Sequence, residues 1–280
     1  MKISCDFVKD FHDFAKRFLL SCGVTDVNSI DNIEMLFWKV RYRIPSTKTR
    51  KILRATNFTC PNELQNYLAN LEHRVQMGET LRPFLSKGIN DTSNNSRFLD
   101  NLLSDWGIHH FHLGKYTQGD FSERTRDLLF AIVTENEFYE IAILPHGCWT
   151  NQQLLEIIFT NWKHLLTPYI LPGISVTNNP DEETLKILRN AHVMTLVRLS
   201  TGECLVSPGG GYASDGTPTI VVENHDKMAI LLRNLEKKVK TEQIELLNNI
   251  AKNQSYEEVV VHLEFSLEKM FEPDMRIDCY

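Results

Sequence analysis

Residues 105–114 read DWGIHHFHLG, so that three of the chain's ten histidines fall in four positions, between a Trp-Gly and a Leu-Gly. Imidazole titrates near neutrality and serves as base, acid or metal ligand. If residues 108–113 form a strand, their side chains alternate: Ile108, His110 and His112 share one face, and His109, Phe111 and Leu113 the other. Phe111 and Leu113 mark the second face as the core side, which makes His109 a buried histidine. His110 and His112, about 7 Å apart on the remaining face, are the candidates for chemistry.

Two chemistries fit such a pair. Cleaving RNA through its own 2′-hydroxyl takes a base for the hydroxyl, an acid for the leaving oxygen and cations for the phosphorane. The segment GDFSERTRDLLF places Arg124 and Arg126 two apart, where both can point one way. The apolar run that follows turns and returns to Pro145-His146-Gly147, with Trp149 close by to stack on a base. The catalytic set is then His110, His112, Arg124, Arg126 and His146. Arg82 and Lys87 in LRPFLSKGIN, with His109, Tyr139 and Trp149, are the residues set to contact substrate. The other chemistry is that of a metal-dependent hydrolase, with the His110–His112 pair and His146 as ligands. No carboxylate stands at a ligand spacing and the cysteines do not pair, so no metal is assigned. No cofactor is assigned either: PGGGYASDG lacks a following Lys-Ser/Thr and GxGxxG spacing, and reads as a mobile hairpin loop.

These side chains must be held by elements whose periods are visible. In FVKDFHDFAKRFLL, Phe7, Phe11, Phe14 and Phe18 recur at helical spacing. Further helices are expected over Ser29–Arg43, started by Asp31, and after Cys60-Pro61-Asn62 through LQNYLANLEHRVQ. Ser86–Arg97 is rich in turn formers and reads as a loop. DLLFAIVTENEFYEIAILPHG is a β-hairpin turning at TENE, and NQQLLEIIFTNWKHLL an amphipathic helix. DEETLKILRNA is helical, VMTLVRLSTGECLVS a second hairpin, and TIVVE a strand. A long helix over His225–Asn253 and a last one over Tyr256–Phe271 complete the expectation. The class is α+β: residues 1–85 a helical front end, 86–170 a small antiparallel sheet carrying the histidine strand, and 171–280 an acidic α/β region with long C-terminal helices.

The run HHFHLG…SERTRDLLFAIVTENEFYEIAILPHGCW resembles the sheet of the RelE/ParE-like toxin superfamily of bacterial mRNA interferases. An arginine-bearing strand, here Arg126-Asp127-Leu128-Leu129-Phe130, turns tightly and returns as YEIAILPHG. The resemblance covers residues 107–158. It implies a metal-independent ribonuclease with basic and histidine side chains on one sheet face, inside a larger toxin-system or phage-defence protein. The chain departs from the family in being long and acidic and in carrying the HHFH cluster. A non-catalytic partner in such a pair is the other role it allows.

Composition sets limits. The chain has 280 residues, a net charge of −6 and 42% hydrophobic residues. Residues 1–180 hold 19 basic and 19 acidic side chains, and residues 181–280 hold 11 and 17, so the excess acid lies in the last hundred. That argues against indiscriminate nucleic-acid binding and suits a basic protein partner for the C-terminal region. Lys39–Arg54 has seven basic residues and no acidic one, enough for a local basic surface. No apolar run is long enough to span a membrane, the first twenty residues are too charged for a signal peptide, and six scattered cysteines fit reduced thiols in the cytoplasm.

Overall fold

The computed structural model describes residues 2–90, 100–116, 121–241, 245, 249 and 258–279. The described strands are β1 (Lys2–Cys5), β2 (Lys51–Arg54), β3 (His109–His112), β4 (Asp127–Val133), β5 (Glu137–Pro145), β6 (Val197–Arg198), β7 (Cys204–Leu205), β8 (Glu258–Glu264) and β9 (Asp274–Cys279). The described α-helices are α1 (Phe7–Ser21), α2 (Ile33–Arg43), α3 (Gln65–Met77), α4 (Asn101–Trp106), α5 (Gln153–Leu166), α6 (Glu182–Asn190) and α7 (Thr219–Thr241). The class is mixed α+β. Contacts group the chain into two units, residues 1–40 with 221–280, and residues 41–220. The expected divisions at 85 and 170 fall inside the second unit. No helix among the described residues is long and apolar enough to cross a membrane.

In the first unit, Asp6 caps α1 by accepting from Lys9 N at 2.9 Å. The phenylalanine row then packs as its spacing requires: Phe11 meets Phe37, Trp38 and Phe265, while Phe14 and Phe18 both meet Phe37. Asn32, not Asp31, caps α2, its side chain accepting from Met35 N at 2.8 Å. The sheet order is β1-β8-β9, with β1 parallel and β9 antiparallel to β8. Two expectations are corrected here. The last helix is instead β8 over its described part, because EVVVHLE alternates and buries Val259, Val261 and Leu263 on one side. TIVVE is instead the first turns of α7, because Val221 joins Met228, Leu232 and Val239 in a buried row at helical spacing. The expected helix beyond Thr241, like the expected loop at 91–97, lies largely outside the described residues.

The second unit is built on a four-stranded sheet, order β2-β5-β4-β3, antiparallel except between β2 and β5, so the expected antiparallel sheet is mixed because a strand from before residue 86 adds to its edge in parallel. The expected hairpin is β4–β5, and the histidine strand adds beyond β4, with His110 opposite Phe130 and His112 opposite Leu128. The register slips by one residue between Phe130 and Ala131. The core under the amphipathic face of α5 gathers Ile108, Leu128, Phe130, Tyr139, Ile141, Leu154, Leu155 and Ile158. The opposite sheet face carries His109, Phe111, Leu129 and Phe138, also buried. Both faces of β3 are therefore covered, with His112 buried and His110 half-buried. β6 and β7 form the second expected hairpin as a short ribbon.

The PGGG loop is corrected as well. It packs on α4, where Gly209 N donates to Asp105 O and Gly211 N to Ser104 O. A Cβ at Gly209 would stand 2.2 Å from Leu103 O, so only glycine fits. The basic run is mostly spent inside the fold. Arg50 is buried on Thr134 O and Ser46, Arg54 pairs with Glu140 and Glu72, and Arg43 donates to Gly88 O.

Candidate functional site

The sequence around the histidines folds into a helix, a tight exit and a strand. Asp100 caps α4 by accepting from Leu103 N at 3.1 Å. Gly107, in the left-handed conformation (φ 72°), ends the helix and hands the chain to β3. His110 and His112 then project onto the same face, ring centroids 6.3 Å apart. From the far end of the hairpin, His146 and Trp149 come to meet them. The Trp149 ring lies 4.7 Å from the His110 ring and 4.9 Å from the His146 ring, and also contacts Phe130 at 5.8 Å. One half-buried indole thus gathers two imidazoles that are 36 residues apart in sequence.

Charges around this indole differ sharply. Asp100 Oδ2 is 3.3 Å from His110 Nδ1, an ion-pair distance without the alignment of a hydrogen bond. Burial works against the carboxylate, but His110, Arg43 and the Leu103 N–H together hold its pKa far below the usual range. It stays ionised and orients His110. His112 is buried and its pKa falls from 6.5 to about 4, mainly by burial and then by the charges of His110, Arg124 and His146. His146 is exposed, yet its pKa is also lowered, by its partial desolvation and by His110 and Arg124. His112 and His146 are neutral at pH 7. Arg124 is exposed and near enough to act on both.

The structure thus brings His110, His112, His146, Arg124 and Trp149 together. Arg126 is exposed and sits opposite His146, whose N–H donates to Arg126 O at 2.7 Å. The remaining expected contacts lie elsewhere. His109 points to the other face, stacked on Phe111 at 5.9 Å, with burial lowering its pKa to about 4. Tyr139 is buried near the hairpin turn, its hydroxyl donating to Glu137 and its ring against Trp162. Six residues of strand, Glu140 to Pro145, separate it from His146, about 20 Å. The Arg82 guanidinium covers the Phe121 ring at 4.6 Å, and Lys87 is exposed at the start of a 3-10 turn (Lys87–Asn90).

Asp100 supplies a carboxylate to the cluster that local spacing does not place beside His110. Its one signal was local: an Asp before the apolar NLLSDW run is a helix cap. That the same carboxylate reaches His110 depends on the fold-back at Gly107. A second unforeseen group supports the site from behind. Buried Arg189 donates from Nε to Asp105 Oδ2 at 2.7 Å, from Nη1 to the Trp149 carbonyl, and lies 4.0 Å over the Trp106 ring. Ser207 donates to the other Asp105 oxygen at 2.6 Å. Among the described residues, no group of three or more His, Cys, Asp or Glu side chains is disposed to hold a metal ion.

No family model, curated protein or solved structure matches the chain.

Proposed function

We propose that this protein is a metal-independent endoribonuclease that uses imidazole acid–base chemistry at the His110–His146–Trp149 cluster. The observation that carries the reading is a pair of imidazoles held on one indole, one at ion-pair distance from a carboxylate and the other exposed with a guanidinium near it. His146, exposed and kept neutral, takes the proton from the 2′-hydroxyl. His110, which has the ionised Asp100 as counter-ion when it carries a proton, gives that proton to the departing 5′-oxygen. Arg124, with Arg126 opposite His146, offsets the charge that builds on the phosphorane. His112 stays neutral and walls the cluster from the core side. The toxin or defence-system setting rests on the RelE-like resemblance of residues 107–158.

RNA incubated with the purified protein and excess chelator tests this. Cleavage leaving 2′,3′-cyclic phosphate ends is the expected result. Activity that vanishes with chelator and returns with zinc or manganese would favour the metal-hydrolase reading.

A second reading, binding of a basic protein by the last hundred residues, is favoured by their 17 acidic against 11 basic side chains. Met275 and Ile277 of β9, 40% and 41% exposed, add apolar surface for such a partner. A stoichiometric basic partner that co-purifies with the wild type and is lost from Ile277→Lys would support it, provided the protein does not cleave RNA.

A further inference from the structure

β2 is shorter than its neighbour. It pairs with β5 over Glu137–Glu140, and the last ladder bond runs from Ala55 N to Glu140 O at 3.0 Å. Beyond that point the second unit has a cleft of about 420 Å³ between β5, the residues after β2 and the first turns of α5. Its size falls in the range of small-ligand sites. Phe58, Leu144 and Ile157 give it apolar walls, and Asn57, Asn151 and Thr160 stand at its polar positions. The one charged lining residue, Glu156, is engaged by Ser200, whose N and Oγ donate to it at 2.6 and 2.9 Å. Among the described residues no cation lines the cleft, which favours a flat neutral ring that both donates and accepts hydrogen bonds over a phosphate.

The register ties this cleft to the histidine cluster. Ala142, in the cleft, pairs with Phe130, which pairs with His110; Leu144 pairs with Leu128, which pairs with His112. Each row spans two strand spacings, about 10 Å, on one sheet face. The segment 146–153 crosses between them, with His146 and Trp149 in the cluster and Asn151 and Gln153 at the cleft.

We infer that this cleft is a nucleobase pocket, which seats one base of a single-stranded RNA while the adjoining phosphate lies at Arg124. The inference rests on the ribonuclease reading for its connection to chemistry, but the binding it asserts is measurable without cleavage. Adenosine, guanosine, cytidine and uridine would each be added at millimolar concentration, and saturation transfer from the protein to the base protons recorded by NMR. At least one nucleoside should receive transfer. Thr160→Trp, which fills the cleft from an exposed helix position, should weaken that binding at least tenfold. So should Asn57→Leu, which removes an amide from a loop and keeps the test open if the tryptophan variant melts early. Transfer to none of the four, or transfer unchanged in both variants, would overturn the pocket. Nucleoside binding without RNA cleavage would leave the pocket standing and remove the ribonuclease reading. Cleavage that Thr160→Trp does not alter would do the reverse.

Discussion

His109 and His112 sit on opposite faces of one strand and are both forced neutral by burial, with pKa values near 4 against the ordinary 6.5. The unfolded chain protonates them below pH 6.5, while the folded chain resists until about pH 4. Their contribution to stability is therefore present above pH 6.5 and lost as pH falls toward 4, about 3 kcal/mol for each if fully expressed. Thermal melts between pH 7.5 and 4 should show a steep acid loss that His109→Leu flattens; an unchanged slope would mean that His109 does not titrate in this window. His146 is exposed, and in the proposed reaction it is the base, so its test is a rate. Arg124 lowers its pKa, so removing that charge should raise it. The acidic limb of kcat/KM for RNA should lie below pH 6.5 in the wild type and move upward in Arg124→Gln. A limb that stays fixed while the rate falls would assign Arg124 to phosphate contact alone. Strand alternation made the His110/His112 pairing and the opposite sense of His109 legible in the sequence. Alternation says nothing about which faces are covered, and the burial of His112 comes from what packs on it after β4 pairs with β3.

Elements with a full period were legible: α1, α3, α5, α6 and the β4–β5 hairpin follow directly from apolar spacing. The four-residue strands β1 and β2 were not, since four residues hold too little pattern and β2 lies within a basic run. β8 replaces the expected helix because VVVHLEFSLEKMF satisfies helical and alternating spacing alike, and its β-branched content decides for the strand. The support behind the site was invisible for another reason: Arg189, Asp105 and Ser207 are far apart in sequence, and only the packing of α6, α4 and the PGGG loop brings them together. Arg189 fixes the Trp149 carbonyl and is the main counter-charge of Asp105. Arg189→Met should leave that carboxylate buried with Ser207 alone, at a cost of about 3–5 kcal/mol. Denaturant unfolding measures this directly, and a loss under about 1 kcal/mol would show that the clamp is not needed.

At the scale of the whole molecule, the acidic total and the histidine cluster belong to different parts of the chain. The first 180 residues are neutral overall, and most of their local basic run is tied to carboxylates and carbonyls, so little free positive charge is left for the phosphate backbone. A substrate recognised through one base and one phosphate, rather than through an extended strand, suits that balance, and binding should depend only weakly on salt. The claim that decides most is that the attacking group is the RNA's own 2′-hydroxyl. Short oligonucleotides cleaved at one mapped position, then resynthesised with a 2′-O-methyl group at that nucleotide, measure it directly in the presence of chelator. Cleavage of the parent with a 2′,3′-cyclic phosphate product, and none of the methylated form, is the expected result; cleavage of the methylated oligonucleotide at the same position would contradict it.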